Sequence, residues 1–187
     1  MVETNPPSLD DKCSKYFSYR DFIECGETQH DTQISNLPCE LESYAAIKCL
    51  ATQVLDQVKD RYGPFKLTYG FSSRELIKKI PGRIAPAIDQ HASHERKLNG
   101  NLICERTGAA CDFIIVGSDM REVAEWTLMN TDADRVYFYG ADRPIHVSHS
   151  STPAIQFVEV FEKLVKNKTR PMPHVVPNRK LRYSRRI

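Results

Sequence analysis

Nowhere in this chain of 187 residues do apolar side chains run long enough to cross a bilayer. The longest stretches, such as Phe113 to Val116, fall far short of the roughly 20 residues that a membrane helix needs, so no membrane span is expected. The segment from Met1 to Asp11 carries Pro6, Pro7 and three acids but no apolar stretch; it lacks the pattern of a secretory signal, and a cytoplasmic protein is the expectation. Internal repeats and low-complexity blocks are also missing. Cysteine occurs six times, at positions 13, 25, 39, 49, 104 and 111, too sparsely for a disulfide scaffold, so reduced thiols are expected. What remains is an ordinary globular composition, 41% hydrophobic and 27% charged, which excludes wholesale disorder and suffices for one domain with a real core.

Acids are missing locally as well. From Lys163 to Ile187 there is none, whereas nine Lys and Arg accumulate at 163, 166, 168, 170, 179, 180, 182, 185 and 186. The formal net charge of +2 therefore hides a mildly acidic body and a basic tail. Such a tail can meet a polyanion such as nucleic acid, or it can simply be solvated. The expected organisation is an N-terminal arm over 1–14, one domain over 15–166 and a basic tail over 167–187.

Periodicity gives the elements. Ser18 followed by Asp21 has the form of a capping box and should open a short helix. The clearest helix covers about 39–62, where Ile47, Leu50, Val54, Leu55, Val58 and Tyr62 repeat at three or four until Gly63-Pro64 stops it. Phe65–Tyr69 reads as a strand, Ser72–Lys79 as a short helix, Phe113–Val116 as a buried strand and Asp119–Met129 as a helix. Two strands, Val136–Tyr139 and Pro144–His149, flank the turn Gly140-Ala141-Asp142-Arg143. Thr152-Pro153 is expected to open a last amphipathic helix bearing Ile155, Val158, Phe161, Leu164 and Val165. Helices first and short strands later predict an α+β domain, its helices packed on a small, mostly antiparallel sheet.

Four of the six histidines fall in two clusters, Asp89-Gln90-His91-Ala92-Ser93-His94-Glu95 and Arg143-Pro144-Ile145-His146-Val147-Ser148-His149. Strand alternation puts Ile145 and Val147 on one face of the second and His146 with Ser148 on the other. Between the clusters, the small residues Gly108-Ala109-Ala110-Cys111 lead into Asp112 at the head of an apolar run. They allow backbone to pack closely while the carboxylate reaches a shared site. Two histidines, one aspartate and a fourth position open to water make a sensible catalytic zinc set. A rival set, His91, His94, Cys104 and Cys111, would be a structural zinc site, although its spacing departs from finger patterns.

In order along the chain stand Tyr16-Phe17-Ser18-Tyr19-Arg20-Asp21-Phe22, Asn36-Leu37-Pro38, Val54-Leu55-Asp56-Gln57-Val58, Leu67-Thr68-Tyr69-Gly70-Phe71-Ser72-Ser73-Arg74-Glu75-Leu76, Asp89-Gln90-His91, Gly108-Ala109-Ala110-Cys111-Asp112 and Ile145-His146-Val147. Together they resemble the hedgehog/DD-peptidase superfamily, the zinc D-alanyl-D-alanine carboxypeptidases and related murein endopeptidases, including phage endolysins. The resemblance implies a DD-peptidase-like fold and a zinc ion held by His91, Asp112 and His146. Here Asp112 follows His91 by twenty-one residues where the family spacing is seven, so Glu95–Thr107 stands as an insertion, and His94 is an alternative first ligand. The family's general base, a glutamate three residues before the last histidine, is replaced by Arg143; its substrate-binding arginine aligns with Ser72, with Arg74 two residues on. Glu95, Asp142 and His149 are the candidate replacement proton carriers, and Asn99-Gly100-Asn101 a turn that could fold the insertion over the metal. The resemblance implies a zinc-dependent hydrolase of peptide or amino-acyl amides. The other class consistent with the changed residues is a binding module with a structural metal, docking nucleic acid through 163–187.

Overall fold

The apolar spacing of residues 41–62 does produce one long rod, and its middle is wider than an ordinary α-helix. A computed structural model describes residues 5–81, 84–165 and 168–181. In it, α3 (Leu41–Leu50) runs through a π-helical stretch (Ala51–Leu55) into α4 (Asp56–Tyr62), and Gly63 ends the rod at φ +87°. Ile47, Leu50, Val54, Leu55 and Val58 form its buried stripe. Two shorter helices precede it, α1 (Arg20–Ile23) and α2 (Glu27–Thr32). At the first, the Ser18 backbone N–H donates to the Asp21 carboxylate, one half of the anticipated capping box; the hydroxyl donates to the same carboxylate, and the Asp21 N–H goes to the Ser18 carbonyl instead.

β1 (Leu67–Tyr69), α5 (Arg74–Ile77), β2 (Ala109–Phe113), α6 (Met120–Asn130), β3 (Arg135–Phe138), β4 (Ile145–His149), β5 (Gln156–Val165) and β6 (Lys168–Val176) follow. One six-stranded sheet has the order β1-β2-β4-β3-β5-β6, antiparallel throughout except where β5 runs parallel to β3. The domain is thus α+β with a mostly antiparallel sheet, as expected. Alternation divides the sheet. Cys111, Phe113, Ile145, Val147 and Val136 join the core beneath α3, α4 and α6. Asp112, His146 and Tyr137 stand on the opposite face, in register across β2, β4 and β3.

Three expectations are corrected. The segment after Thr152-Pro153 is a strand over Gln156–Val165, not a helix. Its Phe, Val and Leu content favours a pleated surface, and pairing with β3 and β6 outweighs the helical spacing. The strand read at Phe113–Val116 lies four residues earlier, at Ala109–Phe113, and Val116 is 92% exposed. The arm is less loose than expected: Cys13 is buried and Leu9 packs on the core, held by the Arg20 N–H donating to the Leu9 carbonyl at 2.8 Å.

The basic segment is divided too. Lys168–Val176 is the outermost strand, not a trailing tail, and Lys163 stands opposite Arg170 across it. Pro171 and Pro173 lack the N–H that an outer edge would otherwise offer to another chain. Lys166, Arg182, Arg185 and Arg186 lie outside the described residues. No helix among the described residues is long and apolar enough to cross a membrane.

Candidate metal centre

Asp112 on β2 and His146 on β4 are direct partners in the sheet register, so two rigid strands deliver a carboxylate and an imidazole to one spot. His91 joins them from the long excursion between α5 and β2, anchored by the Ser72 N–H donating to the His91 carbonyl at 3.0 Å. His146 Nδ1 lies 2.9 Å from Asp112 Oδ1 and 3.1 Å from His91 Nε2, and His91 Nε2 lies 3.4 Å from Asp112 Oδ1. A tetrahedral ion bound at about 2.0–2.1 Å spaces its donors about 3.3 Å apart, so the three atoms already form roughly one face of such a polyhedron. Both imidazoles are buried, while the aspartate side chain is 28% exposed, which leaves the fourth side reachable. Among the described residues, this is the group of side chains that could hold a metal ion.

The surroundings orient the ligands. The His91 Nδ1–H donates to the Gly70 carbonyl at 2.7 Å, which leaves the Nε2 lone pair facing the cluster. That carbonyl is placed by a tight crossing: a Cβ on Gly70 would come within 2.3 Å of the Phe22 carbonyl oxygen. A second crossing seats β2, since a Cβ on Gly108, at φ +79°, would meet the His149 carbonyl at 2.1 Å. The small residues ahead of Asp112 therefore act as expected. Tyr69 and Tyr137 set ring edges against His91 and His146, with centroids 4.6 and 5.2 Å apart. Burial alone would raise the Asp112 carboxyl, but the two imidazoles hold it well below the usual carboxylate range. Burial would likewise lower His91, yet Asp112 raises it above the ordinary imidazole value. The site is thus built around a fixed negative charge that an incoming cation can neutralise.

His94, the alternative first ligand, is engaged elsewhere. Its Nε2 accepts the Gly108 N–H at 3.3 Å, burial lowers its pKa, and it is absent from the ligand group. The Cys2His2 set is not assembled: Cys111 points to the core side of β2, opposite to Asp112, and Cys104 is buried without joining the group.

Of the candidate proton carriers, Glu95 is buried and its carboxylate is consumed by structure. It accepts the Cys39 N–H at 3.1 Å, the Glu40 N–H at 3.2 Å and the Ser43 hydroxyl at 3.0 Å, so it caps α3, whose own N-cap residue gives no side-chain bond. His149 alternates onto the core side with Ile145 and Val147, and burial lowers its pKa. Asp142 is exposed in the β3–β4 turn. The insertion does turn as expected, with the Lys97 N–H donating to Asn101 and the Gly100 N–H to Lys97, but none of residues 95–107 lines the clefts beside the ligands. Arg74 pairs with the adjacent Glu75 at 2.9 Å. Ser72 is fully buried against the Tyr69 hydroxyl and does not face a cleft.

The ligands open into a cleft of about 440 Å3. Its polar lining adds Asp89, Tyr137 and Tyr139 to His91, Asp112 and His146. None of these three belongs to the histidine, acid and arginine candidates that the sequence patterns offer. Tyr137 and Tyr139 carried a usable signal, since alternation along the strand expected at Val136–Tyr139 puts both on one face, and Tyr137 stands in register with His146. Asp89 stands two residues before the first ligand, and its Oδ1 and Oδ2 accept the His91 and Ala85 N–H groups at 3.3 and 2.8 Å. A larger cleft of about 730 Å3, near Tyr16 and Lys66, contains none of the ligands. No family model, curated protein or solved structure matches the chain.

Proposed function

We propose that the protein is a zinc-dependent hydrolase of amide bonds in a peptide or amino-acyl substrate, a divergent relative of the DD-peptidase type. The observation that carries this reading is the face of three donors, two imidazole nitrogens and one carboxylate oxygen, presented to an open cleft. Bound there, zinc would supply an acidified water and polarise a carbonyl oxygen. The chain's own residues do the rest. His91, Asp112 and His146 hold the ion, and the Gly70 carbonyl fixes the tautomer of His91. In the 440 Å3 cleft, Asp89 is the carboxylate other than the ligand, held by two backbone N–H groups, and we assign it the proton-holding role. It takes the role first considered for Glu95, Asp142 and His149. Tyr137 and Tyr139 flank the substrate path and offer it phenolic hydroxyls as hydrogen-bond donors.

The test is metal content together with amide hydrolysis. Purified protein should hold about one zinc per chain. His146→Ala should lose most of it and stay folded, because Ile145 and Val147 still fill the core. Full zinc occupancy in that variant refutes the site; zinc binding without hydrolysis of any blocked peptide in a broad library refutes the enzyme. A second reading, a polyanion-binding module, has in its favour the exposed Lys163 and Arg170 facing each other on β5 and β6.

A further inference from the structure

The ligand group does not sit at the blind end of a pocket. Asp112 and Ile84 line the 440 Å3 cleft and also a second cleft of about 240 Å3, so the two are neighbours across these side chains. Their walls differ. The larger is apolar away from the ligands: Ile84 and Ile88 face it from the excursion before His91, and Val160, Pro171 and Pro173 from the β5–β6 hairpin. Ile88 is 47% exposed, apolar surface left open beside a polar centre. The smaller offers hydroxyls and an acid, Thr28, Thr68, Tyr69 and Glu27.

Register explains the contrast. Val160 stands opposite Pro173 and Glu162 opposite Pro171, so these share the cleft-side face of the hairpin, whereas Lys163 and Arg170 alternate to the other face. Among the described residues, the charged side chains along the two clefts are acids: Glu27, Asp89 and Asp112. Arg106 lies nearby, but its guanidinium donates to the Ile88 carbonyl at 2.7 Å and the Tyr137 hydroxyl at 3.3 Å. Arg143 is 4.0 Å from Glu162.

We propose that the two clefts form one groove running past the ligands, which takes an internal amide of an extended peptide and seats a hydrophobic side chain of that peptide in the larger cleft. The inference rests on the amide-hydrolase reading and specifies its substrate class. A chain end would leave one cleft empty, and a carboxylate would meet acids along the described walls. A pocket of this size and lining encloses a large apolar side chain.

The experiment uses the zinc-loaded full chain and N-acetylated, C-amidated hexapeptides of alanine bearing one Phe or one Asp. Binding is read by calorimetry and by methyl and amide shifts. The Phe peptide should bind about tenfold or more tighter than the Asp peptide. It should also move signals of Ile88 and Val160 together with those of Thr28 and Thr68. Val160→Asp, and independently Ile88→Asp from the opposite wall, should abolish the Phe preference. Equal binding of Phe and Asp peptides, shifts confined to one cleft, or a free-acid dipeptide binding as tightly as the hexapeptide overturns the groove. Hydrolysis of free-acid dipeptides alone would overturn the groove and leave the hydrolase standing. Spanning binding without cleavage would do the reverse.

Discussion

The Glu95 carboxylate accepts the Ser43 hydroxyl at 3.0 Å across 52 residues of chain, and the same hydroxyl accepts the His94 N–H at 3.2 Å. Ser43 thereby ties the start of α3 to the loop that follows the first metal ligand. The Ser43–Glu95 bond is buried, whereas the Cys39 and Glu40 N–H groups that also donate to this carboxylate are only partly so.

Glu95→Gln should therefore destabilise the fold rather than the chemistry. A buried hydrogen bond to a charged group is worth about 1.5–3 kcal/mol. For a domain of this size that lowers the melting temperature by roughly 3–12 °C. Zinc stoichiometry should stay at the wild-type level. An unchanged melting temperature with lost turnover would return Glu95 to the reaction.

Gly70→Ala tests how the first ligand is held. The added Cβ would collide with the Phe22 carbonyl and push away the carbonyl that receives His91 Nδ1–H. Zinc affinity should fall about 10–100-fold, the usual effect of disturbing a partner of a ligating histidine. Wild-type affinity measured by competition with a chelator would show that Gly70 does not orient His91.

How much of this was legible in the sequence follows from the range of each interaction. His146 was readable because a two-residue alternation places it; Asp112 was readable only as the acid at the head of an apolar run, since its strand starts earlier, at Ala109, than that run suggests. The turn at Gly100 was readable because it is local. Glu95 was not: its partners, Cys39, Glu40 and Ser43, are 52 to 56 residues distant, and no local pattern announces a carboxylate that caps another element's helix. Residues 156–165 failed for a related reason. Their spacing suits a helix, but the parallel pairing with β3 that makes them a strand is a long-range fact.

Asp89→Asn separates holding a proton from holding the metal. Asn keeps one of the two acceptor oxygens, so one of the two backbone N–H bonds is lost, yet all three ligands are retained and zinc should remain at about one per chain. Turnover on a cleaved peptide should fall about 10²–10⁴-fold. Activity within twofold of wild type would leave the proton with another group.

Thiol chemistry checks the burial pattern. Burial pushes Cys13 and Cys25 up to about 12, so at pH 8 only about one part in ten thousand of either is thiolate. Cys39 is exposed, and partial burial followed by the neighbouring Glu95 raises its thiol. Labelling with iodoacetamide at pH 8 should therefore modify Cys39 well before Cys13, Cys25 or Cys111, and speed up as pH rises. Removing the adjacent charge in Glu95→Gln should lower the Cys39 value and quicken its labelling. Early modification of Cys13 or Cys111 would contradict the packing of β2 and the N-terminal segment.

The basic segment needs a different test from the one its sequence invites. Truncation after Asn167 would strip β6 from the sheet along with the charges, so lost binding would report lost structure. Two changes leave the strand in place. Lys163→Glu with Arg170→Glu reverses two exposed, facing charges, and truncation after Leu181 removes Arg182, Arg185 and Arg186. If the segment binds a DNA duplex, affinity should fall steeply as salt rises and without sequence preference. Each cation that contacts a phosphate adds about 0.9 to the slope of log affinity against log salt, so the double reversal should reduce that slope by about 2. Equal slopes for the reversed, truncated and intact chains would mean that these cations are solvated and that any contact with nucleic acid lies elsewhere.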